Sequence, residues 1–257
     1  MSQTIAFIGS GEIGSTLARL SVAAGLNVVM SNSRGPESLA DLVAELGDRA
    51  SAATAADAAR DGDLVVVSVP FHLHGSLPAD ALAGKIVIDT MNYYPMRDSR
   101  VEELDRGELT SSELIQRHLA DSTVVKALHN LDYVRLYTAS RPAESPERSA
   151  LPVAGDDPAA KAEVIRYMDT IGYDTVDVGS LANSWRQELG TPSYVKPYVA
   201  GYGDGLSREE ARRWFREAPN TPVPVNTLKE LIDSTARGPV GGIFIPGYAN
   251  GLRADQS

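Results

Sequence analysis

Gly9-Ser10-Gly11-Glu12-Ile13-Gly14 directly follows the apolar run Thr4 to Ile8, and Ser31-Asn32-Ser33-Arg34 closes the next apolar run, Asn27 to Met30. The glycine spacing takes its meaning from its flanks, a buried strand before it and an amphipathic helix after it. Leu17, Leu20 and Ala24 recur at helical spacing, and Gly25 stands where a left-handed C-cap belongs. In that setting Gly9 makes the tight turn, Gly11 lets backbone approach a pyrophosphate, and Gly14 lets the helix lie close to its strand. The N–H groups at the helix start face the phosphates, so Ser10, Glu12 and Ile13 join the glycines as expected dinucleotide contacts.

The end of the second strand should meet the adenosine ribose. A site selecting NAD places Asp or Glu there, because a carboxylate accepts from the ribose hydroxyls and repels a 2′-phosphate. Here no acidic residue occurs before Glu37. The hydroxyls of Ser31 and Ser33, the amide of Asn32 and the guanidinium of Arg34 form a neutral-to-cationic nest suited to a phosphate dianion. The expected cofactor is therefore NADP.

A chain of 257 residues with 43% hydrophobic content is long enough for one sizeable α/β core and something smaller. It has no cysteine, which excludes disulfides, thiol nucleophiles and cysteine-bound metal. No stretch of 18 apolar residues occurs and no basic-then-apolar leader precedes Thr4, so the chain reads as soluble and cytoplasmic. A formal net charge of -10 argues against nucleic acid or an anionic membrane as partner, since both demand cationic neutralisation. A small-molecule substrate remains.

Further along, Gly35-Pro36 opens a helix to about Leu46, Asp48 to Ala53 allows a short strand, and an Ala-rich helix spans about Ala55 to Arg60. The β-branched runs Asp63 to Pro70, Lys85 to Asp89 and Thr123 to His129 have the pattern of parallel strands buried on both faces. The charged stretch Arg97 to Asp121 reads as a solvated linker and helix face. Leu151 to Gly155, a helix from Asp157-Pro158 to about Thr170, and Asp174 to Gly179 make a further β-α-β step. Strands alternating with helices imply an α/β fold with a doubly wound parallel sheet of the Rossmann NAD(P)-binding type. Residues 1–180 form the NADP-binding domain on this reading. Residues 181–257 form a smaller helical, then Gly/Pro-rich extension that completes the substrate site or a dimer contact. Within it, Ser207-x-x-Glu210 is a capping box before Ala211 to Glu217, Asn226 caps a second short helix, and apolar Pro239 to Tyr248 reads as a segment needing a surface.

In an open parallel sheet, ligands bind outside the carboxyl ends of the strands. The fourth strand should bring Val69, Pro70, Phe71 and His72 beside the nicotinamide, with Phe71 either a wall of the hydride path or ordinary core. Asn92 and Ala127 stand at the next two strand ends. His72 and His74 lack a third ligand at metal-binding spacing, so no metal site is expected. His129 ends a strand where cofactor and substrate meet, and could donate a hydrogen bond to a carbonyl gaining negative charge. It is the candidate catalytic residue. No tyrosine has Lys four residues on, no G-x-S-x-G elbow occurs, and no strong acid–base dyad is visible.

Five blocks in order extend the reading: Gly9 to Gly14; Ser33-Arg34; Val124-Val125-Lys126-Ala127-Leu128-His129; Val153-Ala154-Gly155-Asp156-Asp157; and Ser180-Leu181-Ala182-Asn183-Ser184 leading to Glu188-Leu189-Gly190-Thr191-Pro192. Together, over about Thr4 to Pro192, the chain resembles the NADPH-dependent reductases of the deazaflavin coenzyme F-420, which share a fold with the reductase domains of STEAP ferric reductases. The resemblance implies that Ser33 and Arg34 contact the 2′-phosphate and that Pro70, Phe71 and His129 adjoin the nicotinamide and deazaflavin rings. It also implies that hydride passes between the two cofactors while the protein stacks them and excludes water. With the apolar Ile243-Phe244-Ile245 segment, it predicts a homodimer. Two departures lie where a second ligand would bind: Asp89-Thr90-Met91-Asn92-Tyr93-Tyr94 replaces Asp-x-x-Asn-Pro, and the chain continues past Pro192 with aromatic-rich Tyr194 to Tyr202.

The leading expectation is an NADP(H)-dependent oxidoreductase with coenzyme F-420 or a related flavin as second substrate. The alternatives are an NADPH-dependent reductase of a small carbonyl or imine, and a non-catalytic NADP(H)-binding redox sensor.

Overall fold

Leu64-Val65-Val66-Val67 presents apolar groups on both sides of an extended backbone, and such a strand must be covered on both faces. The computed structural model, which describes residues 3–201, 206–238 and 240, does this with one eight-stranded sheet. The chain first runs through β1 (Thr4–Ile8), α1 (Glu12–Ala23), β2 (Asn27–Ser31), α2 (Ala40–Leu46), β3 (Ala50–Ala52), α3 (Ala55–Asp61) and β4 (Leu64–Val67). It continues through α4 (Ala79–Leu82), β5 (Ile86–Asp89), α5 (Pro95–Asp98), α6 (Glu102–Asp105), α7 (Ser111–His118) and β6 (Thr123–Lys126). Then come α8 (Tyr133–Thr138), β7 (Ala150–Gly155), α9 (Pro158–Thr170), β8 (Asp174–Gly179), α10 (Arg208–Glu217) and α11 (Val225–Asp233).

The spatial order is β3-β2-β1-β4-β5-β6-β7-β8. Side chains divide between the two faces with the period of two that a strand imposes. Phe7, Leu64 and Val66 pack with Leu17 of α1 and Val164 and Met168 of α9. Ala6, Ile8, Val65 and Val67 pack with Ala58 of α3, Leu82 of α4 and Ile115 of α7. Each fully buried Val, Leu, Ile or Phe contributes roughly 1.5–3 kcal/mol. The result is a Rossmann-like α/β fold with a helical C-terminal part.

The strands from β3 to β6 are parallel, but β7 runs antiparallel to β6, with β8 parallel to β7. The sheet is thus mostly rather than wholly parallel. The connection from β6 holds only the six-residue α8, about 9 Å long. It does not carry the chain back to the starting edge, so β7 enters from the edge where β6 ends. Four local expectations also change. The strand expected to reach Pro70 stops at Val67. The strand expected to reach His129 stops at Lys126, because Leu128 takes φ 57 and leaves the ladder. The segment after Gly35 begins as a 3-10 turn, Pro36–Leu39, before α2. Asn226 lies inside α11, whose N-cap is Pro224, whereas the Ser207 capping box forms in full.

The charged stretch from Arg97 onward forms α5, α6 and α7. Arg100 pairs with Asp105 at 2.7 Å and Arg117 with Glu103 at 2.8 Å on its outside. Its inside is buried: Asp98, Thr110, Ser111 and Ser112 are sealed. Beyond β8, Tyr198, Val223, Leu228 and Ile232 join the cluster that holds β7, and Ala150 N donates to the Val223 carbonyl at 2.8 Å. Of Pro239 to Tyr248 only Val240 is described, packed beside the cluster of Tyr93 and Leu104. The rest, with Ile243-Phe244-Ile245, lies outside the described residues. Among the described residues no helix is long and apolar enough to cross a membrane.

Among the described residues one charged pair lies wholly inside. Lys126 Nζ stands 3.2 Å from Asp89 Oδ2 with both side chains fully buried. Ser112 Oγ donates to Asp89 Oδ2 at 2.7 Å and Met91 N to Oδ1 at 2.9 Å, while Lys126 also donates to the Met91 carbonyl. Removing one member strands the other's charge in a dry interior. Lys126→Met should therefore cost about 3–5 kcal/mol in urea unfolding. A loss under about 1 kcal/mol would show that the pair does not hold this region together.

Candidate functional site

The first crossover leaves β1 for β2 on one side, and β4 returns on the other, so a crevice opens at their carboxyl ends. Gly9 takes φ 111, and a Cβ there would stand 2.1 Å from the Ser68 carbonyl oxygen. The turn after β1 is pressed directly onto the exit of β4. A Cβ at Gly14 would stand 2.1 Å from the Gly9 carbonyl oxygen, so α1 sits against the same turn. Gly11 differs: it is exposed, has an ordinary φ of -71, and a Cβ there meets no atom within 4 Å. What Gly11 keeps clear is space outside the protein. That space lies at the start of α1, a 12-residue helix with no side-chain cap, flanked by Ser10, Glu12 and Ile13. Uncapped helix N–H groups with an open approach fit a pyrophosphate.

The loop after β2 is built by Asn32. Its Nδ2 donates to Ser10 Oγ at 3.2 Å and Ser38 Oγ at 2.9 Å, and its Oδ1 accepts from Arg34 N at 2.9 Å. The amide thus ties the loop after β1 to the loop after β2 and shapes a turn that displays Ser33 and Arg34. Both are exposed, and the Arg34 guanidinium makes no ion pair or hydrogen bond among the described residues. Ser31 takes a different place from the one expected. It is fully buried and donates to the Phe7 carbonyl at 2.8 Å, joining β1 to β2 rather than facing a ligand.

On the other side of the crevice, Val69 is half-buried and Pro70 exposed at the mouth. Phe71 is core: 1% exposed, its ring lies 5.3 Å from that of Tyr93. Ala127 is also sealed within the core and offers no surface to a cofactor. Asn92 donates to the His129 carbonyl at 2.9 Å and reaches Tyr194 Oη at 3.4 Å, and Tyr194 Oη in turn lies 3.1 Å from Tyr94 Oη. Burial raises both phenols above their usual range.

His129 is 2% exposed, with Nε2 at 2.9 Å from the Gln187 carbonyl. A carbonyl only accepts, so Nε2 carries the proton and Nδ1 is a bare acceptor with no partner among the described residues. Burial, then the Lys126 charge, hold this imidazole well below its ordinary value. Neutral, with its one N–H engaged, His129 cannot make the donation expected of it. It instead anchors the 3-10 segment Leu181–Gln187, as its neighbour Asn130 anchors Ser193 and Tyr198 through Nδ2 at 3.1 Å each.

Sequence reasoning missed the polar group beside His72. The His72 ring is exposed, and its Nδ1 lies 3.0 Å from Oδ1 of Asp98, whose side chain is fully sealed. Arg97 Nε and Nη2 reach the same carboxylate at 2.7 and 2.8 Å, and Tyr94 N donates to it at 2.8 Å. Burial pushes the Asp98 carboxyl up, but the bonds from Arg97, His72 and the Tyr94 amide outweigh it and hold it below the usual range. Arg97 also donates to the Asn92 carbonyl at 3.1 Å and lies 4.6 Å above the Tyr94 ring. His74 turns to its own Phe71 carbonyl at 3.0 Å. Among the described residues no three His, Asp or Glu side chains are placed to hold a metal.

Residues 4–93 match the model of the family described as NADP oxidoreductase, coenzyme F420-dependent. The crystal structure of hypothetical protein SMa0349 from Sinorhizobium meliloti superposes with a TM-score of 0.66 at 29% identity, over 75% of this chain and 93% of that one. A candidate F420-dependent NADP-reductase from Arthrobacter sp. FB24 superposes with a TM-score of 0.59 at 25% identity, over 71% of this chain and 87% of that one. The curated protein YjhV of Escherichia coli K12 is 47% identical over 70 residues, 27% of this chain. The chain spans about half the length of that relative, 47% of it.

Two measurements test the geometry. Gly9→Ala forces a side chain into a backbone clash at positive φ and should cost more than about 1–3 kcal/mol, whereas Gly11→Ala should leave stability within about 0.5 kcal/mol. Gly11→Ala should weaken dinucleotide binding at least about tenfold by titration calorimetry; unchanged affinity would remove Gly11 from the cradle. His129 binds its proton less readily folded than unfolded, so its linkage favours the native state fully above about pH 6.5 and less as pH falls below it. The fall in stability between about pH 6.5 and 5 should be shallower in His129→Asn than in the parent protein. Equal slopes would show that His129 is not the group responsible.

Proposed function

We propose that this protein moves a hydride between NADPH and a deazaflavin of the F-420 type or a related flavin, a reading supported by the match of residues 4–93 to the family described as NADP oxidoreductase, coenzyme F420-dependent. The observation that carries the cofactor choice is the exposed guanidinium of Arg34 just after β2, beside Ser33 and without an ion pair or hydrogen bond among the described residues, in a loop whose sequence has no acidic residue between Asn27 and Pro36. A planar cation there suits a 2′-phosphate and has no counterpart in the hydroxyl of NADH. The open cradle at Gly11 and the uncapped start of α1 receive the pyrophosphate, and Asn32 holds the two loops in register.

Bound in this crevice, NADPH supplies a hydride at its nicotinamide end. The chain's own contribution is to position and to exclude water. Val69 and Pro70 form one side of the mouth, and Asn92, Tyr94 and Tyr194 form a hydrogen-bonded rim on the other. That rim is supported from behind by residues 187–198, which His129 and Asn130 hold in place. The acceptor assignment draws on the family and on the likeness to the Arthrobacter protein.

The test is spectrophotometric: NADPH oxidation with F-420, with flavins, and with a panel of small carbonyls and imines. Reduction of F-420 or a flavin supports the proposal, and turnover confined to carbonyls or imines replaces the acceptor. Arg34→Ala should raise KM for NADPH about tenfold or more and leave KM for NADH within about twofold. Equal changes for both cofactors would remove the 2′-phosphate contact from Arg34.

A further inference from the structure

Hydride transfer alone leaves the acceptor one proton short of its reduced form, whether that acceptor is a flavin, a deazaflavin, a carbonyl or an imine. We propose that His72 delivers this proton, with Asp98 as its positioning partner. The inference rests on the reductase reading above and adds the residue that completes its stoichiometry.

The geometry is that of a dyad with one sealed and one open end. Asp98 accepts four hydrogen bonds, from Arg97 Nε and Nη2, Tyr94 N and His72 Nδ1, at 2.7 to 3.0 Å. An ionised carboxylate only accepts, so Nδ1 keeps its proton in both charge states of the ring. The exchangeable proton is then on Nε2, which meets no protein partner among the described residues. The imidazole is 44% exposed while the Asp98 side chain is 0% exposed, so the pair is anchored inside and faces outward.

Its position places it at the hydride end of the crevice. His72 follows Val69 and Pro70 on the 3-10 turn Phe71–Ser76, directly after β4. Through Arg97, which bridges Asp98 to the Asn92 carbonyl, the dyad is continuous with the turn after β5, and through Asn92 with His129 after β6. The other proton-bearing groups near this end are poorer donors, because a buried neutral imidazole and phenols made weaker acids by burial give up a proton less readily. His129 is sealed with its N–H committed, and Tyr94 and Tyr194 bond each other with phenols raised by burial. Imidazole is also the side chain suited to exchange a proton near neutral pH.

The step balances. Two electrons and one hydrogen reach the acceptor as hydride, the Nε2–H bond of the His72 imidazolium breaks, and an N–H or O–H bond forms on the acceptor. The neutral ring regains its proton from water at its exposed edge. The charged and titratable groups around it are Asp98, Arg97 and Tyr94 from α5 and the turn before it. On its own turn stands His74, whose ring meets that of His118 of α7 edge-on at 6.1 Å.

His72 is exposed, so His72→Gln should fold as the parent does. We expect its kcat to fall about 10²–10⁴-fold, its alkaline limb of kcat to disappear, and its NADPH affinity to stay within about twofold. The chain has 4 histidines, which makes their ring signals separable by NMR. Adding NADP should move the His72 signals and leave those of His118 in place. Full kcat with an unchanged pH profile in His72→Gln, or a His72 signal indifferent to NADP, would overturn the dyad while the reductase reading stands. If the parent protein neither binds NADPH nor oxidises it with any acceptor, the reading falls and takes the dyad with it.

Discussion

A charge pair without access to water, Lys126 with Asp89, ties the two strands from which the far side of the crevice is built. The pair is not an isolated contact, because Met91 gives its N–H to the carboxylate and its carbonyl to the ammonium. The chain leaving β5 is therefore held at both backbone groups of one residue, and Ser112 brings α7 to the same oxygen. A buried pair of this kind contributes little net stability compared with apolar residues of the same volume. Its value lies in direction. It fixes the path along which Asn92, Tyr94 and α5 follow, and those residues carry the rim of the crevice.

The two ends of the crevice are organised on different principles. At the glycine-loop end, backbone donors and a guanidinium are left without partners among the described residues, held apart by glycines and by one asparagine side chain. Groups ordered before binding lose little freedom when the ligand arrives. At the far end nearly every polar group already has a protein partner, and the 181–200 segment closes over His129 and Asn130. What remains open there is Pro70, the half-buried Asn92 and Tyr94, and the ring of His72.

The glycine motif, six of the eight strands at close to their observed bounds, the α9 helix and the Ser207 cap could be read from the sequence, because each depends on local chemistry. The expected strands ending at Pro70 and His129 each ran three residues too long; at the second, nothing local marks Leu128 for positive φ. The direction of β7 could not be read, because it depends on where a connecting helix too short to cross the sheet delivers the chain. Ser31, Phe71 and Ala127 looked like ligand contacts from their places at strand ends. Whether such a residue points into the crevice or into the core is set by the pleat and by the neighbouring strand. Asp98 was hidden most completely: it lies 26 residues from His72 in a stretch whose charges are mostly solvated, and no composition signal separates one buried carboxylate from its exposed neighbours.

The order of strands leaves two edges, β3 and β8, and each is blunted in its own way. An edge strand exposes a row of backbone donors and acceptors that another chain can pair with, which is the usual first step of sheet-to-sheet aggregation. Here β3 is three residues long, too short to template more than a few bonds. The longer β8 carries Asp174 and Asp177, whose carboxylates are half-exposed and bound to Arg148 and Lys161. A copy approaching in register would set like charges opposite one another. The sheet that builds the crevice is thereby discouraged from continuing into its neighbours.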